Sequence, residues 1–387
     1  MKMPDQILMY NYQKSGRYFA QIAEGLEDLG KSELQNLGAR EIKPAYRGFY
    51  FSADKQTLYR LNYCTRFLSR ILAPLIRFDC HSDKYLYTTA SKINWPSLID
   101  LKETFAVKAN VSQSKITHSH YASLRLKDAI VDAFRKKTGT RPGIDTRDPD
   151  VLFNLHIQNN KATIYLDTSG ASLHRRGYRL NSITAPMQEI VAAAIIRLSG
   201  WNGSRPLVDP MCGSGTLLCE AMMHYCRIPA GYLREKFGFA ALPDFDAKIW
   251  NAVKQAEDSR IRDLPPGLIS GSDKSGEAVA AAMANTRCFV QGAHIALSIK
   301  AIQDIKSLAN SVIVSNPPYG LRLETEENIE DFMKQLGDFL KQRCTGSEAY
   351  LYFGNRELIK SIGLKPSWKR ILVSGGLDGR LVRYRMY

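Results

Sequence analysis

The fold of this chain is decided by residues 206–221, which read PLVDPMCGSGTLLCEA. The apolar residues before Asp209 are typical of a short buried strand, and the run from Thr216 onward is typical of a helix. Gly213 and Gly215, between these two elements, allow a tight turn and let a ligand approach the backbone closely. A strand, a glycine turn and a helix in this order predict a ligand site at the N-terminus of the helix.

Three kinds of ligand compete for such a loop. A Walker-type phosphate loop ends in Gly-Lys-Ser or Gly-Lys-Thr, and residues 206–221 contain no lysine. A dinucleotide-binding loop has a third glycine three residues after the second, where this chain has Leu218. A nucleoside cofactor without a pyrophosphate remains, with a tight turn that binds no ligand as the alternative.

A second informative segment lies at residues 315–320, which read SNPPYG and follow the β-branched run SVIV. The run predicts a buried strand, and Pro317 disfavours helix at Asn316, so the strand is expected to end in an extended turn. The side-chain oxygen of Asn316 and the carbonyl oxygen of Pro317 can both accept hydrogen bonds from a planar amino group. The ring of Tyr319 can stack on the heterocycle that carries this group. An ordinary Asn-Pro turn is the alternative.

Acidic residues follow two further candidate strands. Asp273 ends the segment ISGSD, where dinucleotide folds place an acid on the ribose hydroxyls, and Asp304 ends the segment SIKAIQD. Either acid taken singly could instead be a helix cap. Because ligands of open α/β sheets bind at the carboxyl ends of the strands, all of these segments are expected to meet in one crevice.

The two motifs resemble those of a known enzyme class. DPMCGSGT resembles motif I of class I S-adenosylmethionine-dependent methyltransferases, and NPPY is similar to the motif of those that act on adenine, guanine or the glutamine amide of release factors. The resemblance implies S-adenosylmethionine as the cofactor, bound by Asp209, Pro210, Gly213, Ser214, Gly215, Thr216, Asp273 and, near the adenine, Asp304. It also implies that methyl transfer is carried out by Asn316, Pro317, Pro318 and Tyr319.

The rest of the chain narrows the family. Residues 18–27 and 33–39 resemble the opening of the THUMP-domain methyltransferases, residues 126–134 resemble a helix of their RNA-binding module, and residues 166–189 resemble the junction to their catalytic domain. From about Tyr18 onward the chain resembles the RlmL-type 23S rRNA guanine-N2 methyltransferases. Enterobacterial members carry a second domain that forms N7-methylguanosine; because this chain ends at Tyr387, that activity is expected to be absent.

The predicted fold class is α/β: a doubly wound, mostly parallel class I methyltransferase sheet preceded by an α+β ferredoxin-like and THUMP RNA-binding module. The expected domains are an N-terminal extension (1–17), the RNA-binding region (18–168, THUMP from about 57), a linker (169–186) and the catalytic domain (187–387). In the RNA-binding region the pattern predicts helices at 23–37, 55–62, 83–92 and 121–137, and strands at 46–51, 70–78, 104–110, 150–157 and 162–167. Residues 222–268 either cover the pocket or pack beside the sheet, and the sequence does not decide between these alternatives.

The charge of the chain is uneven. Residues 1–180 hold 28 Lys and Arg against 17 Asp and Glu, a net charge of +11, whereas residues 181–387 hold 25 against 21, a net charge of +4. A basic N-terminal half suits a module that binds a polyanion and delivers it to an active site. The densest clusters are predicted to contact RNA, a solvated linker being the alternative for the second: Arg135, Lys136 and Lys137, and Arg175, Arg176 and Arg179.

Other classes of function are disfavoured. The seven cysteines include no Cys-x-x-Cys pair and the seven histidines form no ligand pattern, so no metal site is expected, and reduced thiols suit the cytoplasm. No apolar run approaches the roughly 18 residues of a membrane span, and no signal-peptide core is present, so no membrane partner is expected.

Together these features predict methyl transfer from S-adenosylmethionine to the exocyclic N2 amine of a guanine in structured RNA, with 23S rRNA or its assembly intermediate as the favoured substrate. The alternatives are a tRNA guanine, and less favoured an adenine or a protein glutamine. A non-catalytic RNA-binding or ribosome-assembly protein on a methyltransferase fold is an alternative of a different class.

Overall fold

A computed structural model describes residues 9–181, 187–318, 326–374 and 377–387. The chain divides into two compact units. The N-terminal unit comprises the residues up to Ile22 together with Lys31–Leu173 and Arg234–Lys254. The C-terminal unit comprises Ala23–Gly30, His174–Leu233 and Gln255–Tyr387.

The N-terminal unit is built on one mixed sheet, with the strand order β2-β3-β1-β4-β8-β7-β5-β6 in its described residues. The pairs of β5 with β6 and with β7 are parallel, and the others are antiparallel. The long central strand β4 pairs with β1 on one side and β8 on the other, so it joins the two halves of the sheet. The strands are β1 (Arg17–Ile22), β2 (Arg40–Ala45), β3 (Gly48–Ser52), β4 (Leu68–Asp79), β5 (Thr104–Ser112), β6 (Gly143–Ile144), β7 (Val151–Gln158) and β8 (Lys161–Asp167).

Most elements of this region were predicted to within a few residues. The described helices are α1 (Asn11–Ser15), α2 (Glu27–Asn36), α3 (Lys55–Cys64), α4 (Asp83–Ala90) and α5 (Ser119–Thr138). Strand β2 was missed because it is a polar edge strand that contains Pro44 and no buried residue, so it lacks the alternating apolar pattern.

The expected N-terminal extension is ordered over part of its length. Tyr10 and Tyr12 are buried at 4% and 2% exposure, and the Tyr12 hydroxyl donates to Asp244 Oδ1 at 2.5 Å. The prediction of a loose segment up to residue 17 is therefore wrong for this part. The segment is ordered because the rings of Tyr10 and Tyr12 are buried in the core. Two tyrosines in an otherwise polar stretch did not indicate this burial at the sequence level.

The C-terminal unit contains a doubly wound sheet with the strand order β11-β10-β9-β12-β13-β15-β14 in its described residues. Strands β9 to β13 pair in parallel and β15 is antiparallel to both neighbours, which confirms the predicted α/β class. The strands are β9 (Leu207–Asp209), β10 (Ile269–Asp273), β11 (Ala296–Ile299), β12 (Val312–Ser315), β13 (Glu348–Phe353), β14 (Trp368–Ser374) and β15 (Leu377–Arg385). The helices that follow in the chain are α6 (Glu189–Ser199), α7 (Thr216–Tyr225), α8 (Ala247–Asp258), α9 (Gly276–Thr286) and α10 (Glu326–Arg343).

The order of the strands defines where a ligand can bind. Strand β9 lies between β10 and β12, and the chain order runs in opposite directions on its two sides. This is a topological switch point, at which open α/β sheets form a crevice beyond the carboxyl ends of their strands. The core beside it is apolar: Ile313 and Leu351 of the sheet are fully buried in one cluster with Met333 and Leu340 of α10.

Residues 234–254, expected within the catalytic domain, instead cluster with the N-terminal unit. Phe239 lies 4.6 Å from the ring centroid of Tyr59, and Phe245 and Trp250 also pack on Tyr59. This aromatic cluster explains why residues 234–254 belong to the N-terminal unit and not, as expected, to the catalytic domain. This part of residues 222–268 packs within the N-terminal unit, and the two alternatives stated for the segment stay open.

The predicted linker, residues 169–186, is also largely packed. Leu173 belongs to the N-terminal unit and Tyr178 to the C-terminal unit, and they are 2% and 1% exposed. In the N-terminal unit Arg234 donates hydrogen bonds to the carbonyl oxygens of Ser169, Ala171 and Ser172. Residues 182–186 lie outside the described part of the chain.

Candidate active site

The predicted site residues follow neighbouring strands of the parallel sheet. Asp209 ends β9, Asp273 ends the adjacent strand β10, and Asn316 directly follows β12 on the other side of β9. Asp304 lies in a short 3₁₀ turn after β11. The sheet therefore places the glycine loop, Asp273 and Asn316 at one edge, as the order of motifs predicted.

The glycine loop has a backbone conformation that explains its composition. Gly213 and Gly215 have φ of 52° and 78°, in the left-handed region that disfavours residues with a Cβ. A Cβ on Gly215 would also lie 3.0 Å from the Cβ of Ala282 on α9. Both features hold the N-terminus of α7 close to the site, where its first N–H groups favour a negatively charged or polar ligand.

Asp273 accepts a backbone hydrogen bond at each carboxylate oxygen, one from the glycine loop and one from the N-cap of α9. Oδ2 accepts a hydrogen bond from the Gly213 N–H at 2.9 Å, and Oδ1 accepts one from the Ser275 N–H at 3.0 Å. An ionised carboxylate has about four acceptor positions, so Asp273 can accept two further hydrogen bonds. This capacity suits the hydroxyl groups of a ribose.

Asp209 has a different environment from Asp273 because it is 1% exposed. Its Oδ1 accepts hydrogen bonds from the Ser315 hydroxyl at 2.7 Å and from the Met211 N–H at 3.1 Å. Burial raises the pKa of Asp209 to about 7; the bonds from Ser315 and Met211 oppose this shift and the Asp273 carboxylate adds to it. Asp209 thus joins the end of β9 to the residue that precedes Asn316.

Asn316 carries an unusual polar atom. Its Oδ1 is buried and accepts no hydrogen bond within the described part of the chain. Leaving a buried acceptor unsatisfied costs about 1–3 kcal/mol, so such groups are rare unless a ligand uses them. Pro317 is buried and Pro318 is half-buried beside it, whereas Tyr319 lies outside the described residues.

The predicted RNA-contacting residues separate into two groups. Arg135, Lys136 and Lys137 are exposed in the last turn of α5, and Arg175 is exposed as well. By contrast, the Arg176 side chain is 0% exposed, and its Nε lies 3.3 Å from Glu220 Oε1. The prediction that Arg176 contacts RNA is wrong, because this guanidinium neutralises a buried carboxylate of α7.

Arg179 is also engaged inside the C-terminal unit. Its Nε donates to Glu189 Oε1 at 3.0 Å, and its Nη2 donates to the Met187 carbonyl oxygen at 2.9 Å and to Thr216 Oγ1 at 3.2 Å. These bonds hold the side chain against the first residue of α7, and the RNA contact of Arg179 stays a prediction. The sequence did contain a signal, because Glu189 and Glu220 lie in otherwise apolar helices and a buried acid requires a cationic partner.

One feature was missed at the sequence level: a groove of about 830 Å³ in the N-terminal unit, called the basic groove below. Phe19 and Tyr50 lie in its wall with ring centroids 5.0 Å apart, and Tyr50 is 47% exposed. The groove was missed because its residues come from α1 and six different strands. Its wall includes one carboxylate, Glu41, and five exposed cationic side chains, namely Lys14, Arg17, Lys43, Arg77 and Lys161.

Two kinds of feature are absent from the described residues. No helix within them is long and apolar enough to cross a bilayer. No group of three or more His, Cys, Asp or Glu side chains within them is arranged to hold a metal ion.

Comparison with known protein families identifies the architecture. Residues 176–383 match the RMKL-like methyltransferase domain, residues 80–167 match the THUMP domain, and residues 17–72 match the RlmL ferredoxin-like domain. The chain belongs to the RMKL-like methyltransferase family. As a THUMP-containing, RlmL-type member of this family, it is an S-adenosylmethionine-dependent RNA methyltransferase.

Individual relatives agree with this assignment. The chain is 37% identical over 371 residues to a Synechocystis sp. protein provisionally named an RNA methyltransferase, and the match covers 96% of this chain and 97% of that one. It is 36% identical over 381 residues to the ribosomal RNA large subunit methyltransferase K/L of Syntrophotalea carbinolica; the match covers 95% of this chain but 53% of that one, so the chain spans about half the length of this relative. The solved structure of SMU.472, provisionally named a methyltransferase, in complex with S-adenosylhomocysteine is 27% identical and has a TM-score of 0.83; the match covers 96% of this chain and 98% of that one.

The residues present fit S-adenosylmethionine. Gly213 and Gly215 adopt positive φ in the loop, Asp273 has acceptor capacity for ribose hydroxyls, and the N-terminus of α7 suits a carboxylate. When bound, the cofactor supplies an electrophilic methyl group on its sulfonium.

Asp273→Ala is expected to weaken binding of S-adenosylhomocysteine by about 10- to 100-fold, because charge-assisted hydrogen bonds contribute roughly 1.5–3 kcal/mol. Isothermal titration calorimetry measures this effect directly. Asp263→Ala, which removes an exposed acid of the same unit, serves as the matched control. Unchanged affinity in the Asp273 variant would remove this residue from the site.

Proposed function

We propose that the chain methylates the exocyclic N2 amine of a guanine in structured RNA, with 23S rRNA or its assembly intermediate as the favoured substrate. The observation that carries the proposal is the buried Oδ1 of Asn316 at the carboxyl end of β12, to which no described residue donates a hydrogen bond. It lies at the edge of the sheet where the glycine loop and Asp273 also lie. An acceptor in this position suits a substrate that brings an N–H group.

The chemistry of guanine explains why acceptors are needed. The lone pair of the exocyclic amine is delocalised into the ring, so the amine is a weak nucleophile. Acceptance of its two N–H groups by Asn316 Oδ1 and the Pro317 carbonyl oxygen would direct the lone pair toward the methyl group. These acceptors would also stabilise the positive charge that develops on the nitrogen. Catalysis would then rest on in-line positioning and electrostatics, and the proton would leave to water after transfer.

The base must also reach the pocket. A guanine held in a duplex would have to be flipped out, whereas a guanine in a loop is already accessible. Tyr319 is proposed to hold the plane of the base by stacking, Pro318 is proposed to shape the same turn, and Asp304 is proposed to lie near the adenine of the cofactor.

RNA binding is assigned to the N-terminal unit. The basic groove combines five cationic side chains with one carboxylate and two aromatic rings, and this combination suits phosphates and unstacked bases. The exposed residues Arg135, Lys136 and Lys137, and Arg175, remain proposed RNA contacts. A substrate of this kind also supports the proposed location in the cytoplasm.

Replacing Lys43, Arg77 and Lys161 together by glutamine is expected to weaken RNA binding and to reduce the slope of log affinity against log salt by roughly 0.7–0.9 for each phosphate that the variant no longer neutralises. Affinity for S-adenosylhomocysteine should not change. Replacing Lys334, Lys341 and Lys360, which are exposed in the C-terminal unit, removes the same charge and serves as the control. Equal slopes in the two triple variants would exclude the groove as the RNA site.

The proposed function is tested by nucleoside mass spectrometry of rRNA and tRNA from a strain that lacks the gene. Loss of N2-methylguanosine from 23S rRNA is the expected result, and re-expression of the intact chain should restore it. Loss from tRNA instead would support the alternative substrate. No change in any methylated nucleoside would favour a non-catalytic role in RNA binding or ribosome assembly.

A further inference from the structure

The segment that precedes α6 is fixed to the glycine loop by a buried side chain. Asn285 of α9 is 1% exposed, and its Nδ2 donates to the carbonyl oxygens of both Ser214 and Asn181 at 2.9 Å. Its Oδ1 accepts hydrogen bonds from the N–H groups of Leu180 and Asn181. Residues 180 and 181 are therefore held at a defined distance from the loop, and Arg179 is the side chain that precedes them.

The guanidinium of Arg179 is bonded on two of its three nitrogens. Glu189 orients Nε, while Nη2 is shared by the Met187 carbonyl oxygen and Thr216 Oγ1. The remaining nitrogen, Nη1, is buried and has no hydrogen-bond acceptor in the described part of the chain. Because Nη1 and Nη2 share one carbon, Nη1 also lies beside the first turn of α7.

Two independent features at this point favour the same kind of ligand. The first N–H groups of α7 lack partners within the helix and carry a partial positive charge. The Arg179 guanidinium adds a full positive charge and donors that Glu189 satisfies only in part. A carboxylate is a suitable partner for both, since arginine commonly binds carboxylates through adjacent N–H groups.

We infer that Arg179 binds the carboxylate of the methionine part of the cofactor, with Nη1 as the donor. Asp273 is proposed to bind the ribose hydroxyls, whereas the methionine part of the molecule carries a carboxylate that needs a cationic partner. Arg176 is not available for this purpose because its guanidinium pairs with the buried Glu220. Arg179 is then a cofactor-binding residue rather than the RNA contact that its sequence context predicted.

The inference is tested by removing the carboxylate from the ligand as well as the arginine from the protein. Calorimetry compares S-adenosylhomocysteine with its decarboxylated analogue on the full chain and on Arg179→Gln. The variant should bind S-adenosylhomocysteine about 10- to 100-fold more weakly, as expected for the loss of a charge-assisted hydrogen bond, and should bind the analogue as the unaltered chain does. Arg175→Gln, which alters the exposed arginine of the same segment, should change neither affinity.

Other outcomes would contradict the inference. Equal losses for both ligands would show that Arg179 only supports the fold of the loop, and unchanged binding of both with weaker RNA binding would assign it to an RNA phosphate. The unaltered chain provides a measurement that does not depend on folding of a variant, because it should prefer S-adenosylhomocysteine to the decarboxylated analogue by at least about tenfold. If Arg179→Gln does not fold, Arg179→Lys permits the same comparison with the charge retained.

Discussion

Asn316→Ala is expected to reduce methyl transfer by about 100-fold or more while cofactor and RNA binding remain. The expectation follows from the buried Oδ1 at the end of β12, which has no hydrogen-bond partner among the described residues. Removal of a single preorganised polar partner of the transition state typically lowers the rate by this factor. Single-turnover methylation of RNA with labelled S-adenosylmethionine measures the chemical step.

The product and the neighbouring residue provide the controls for this prediction. Tyr319→Phe should have a mild effect and Tyr319→Ala a severe one, because the ring face is proposed to hold the base. The product should be N2-methylguanosine, since only the exocyclic amine of guanine offers two N–H donors. Formation of N1- or N7-methylguanosine would contradict the mechanism, whereas N6-methyladenosine would preserve the acceptor geometry and change the base.

Arg176→Met is expected to destabilise the C-terminal unit by about 3–5 kcal/mol, which is the usual cost of leaving a buried charge without its partner. Glu220 is 0% exposed, and it accepts from Arg176 Nε at 3.3 Å and from the Tyr178 hydroxyl at 3.2 Å. Urea unfolding would measure the loss of stability. Faster hydrogen exchange at the backbone of residues 216–225 would show that the destabilised element is α7.

A double variant separates charge from packing at this position. Arg176→Met combined with Glu220→Leu should recover much of the lost stability, because an apolar pair avoids the desolvation penalty of the ions. Arg175→Met is the matched control, since this arginine is adjacent in sequence and exposed. A stable Arg176→Met variant with weakened RNA binding would instead restore the prediction that Arg176 contacts RNA.

Local sequence patterns predicted the parallel sheet correctly but not the environment of Arg176. The sheet and the edge that carries Asp273 and Asn316 followed from local patterns: short apolar runs, glycine turns and proline at a strand end. Arg176 was misassigned because the sequence of a basic cluster does not show whether its arginines bind phosphates or pair with buried acids. Only the burial of Glu220, 44 residues away in the chain, separates the two. The roles of the individual site residues stay predictions until binding and activity are measured.

The basic groove failed to appear at the sequence level for a different reason. Lys43 and Lys161 lie far apart in the chain, and strand pairing brings their strands into one sheet. No local composition reveals such a cluster. Strand β2, which supplies Lys43, was itself missed because a solvated edge strand has no apolar alternation.

The shared central strand of the N-terminal sheet has a practical consequence for dissecting the protein. The THUMP match begins at residue 80, directly after β4, although β8 pairs with β4 from Leu72 to Asp79. A fragment cut at that boundary would expose the backbone donors and acceptors of β8 that pair with β4, and an unprotected edge of this kind promotes self-association. A soluble fragment of the RNA-binding half should therefore begin before Arg17, because β4 covers this edge of β8 and β1 covers the other edge of β4.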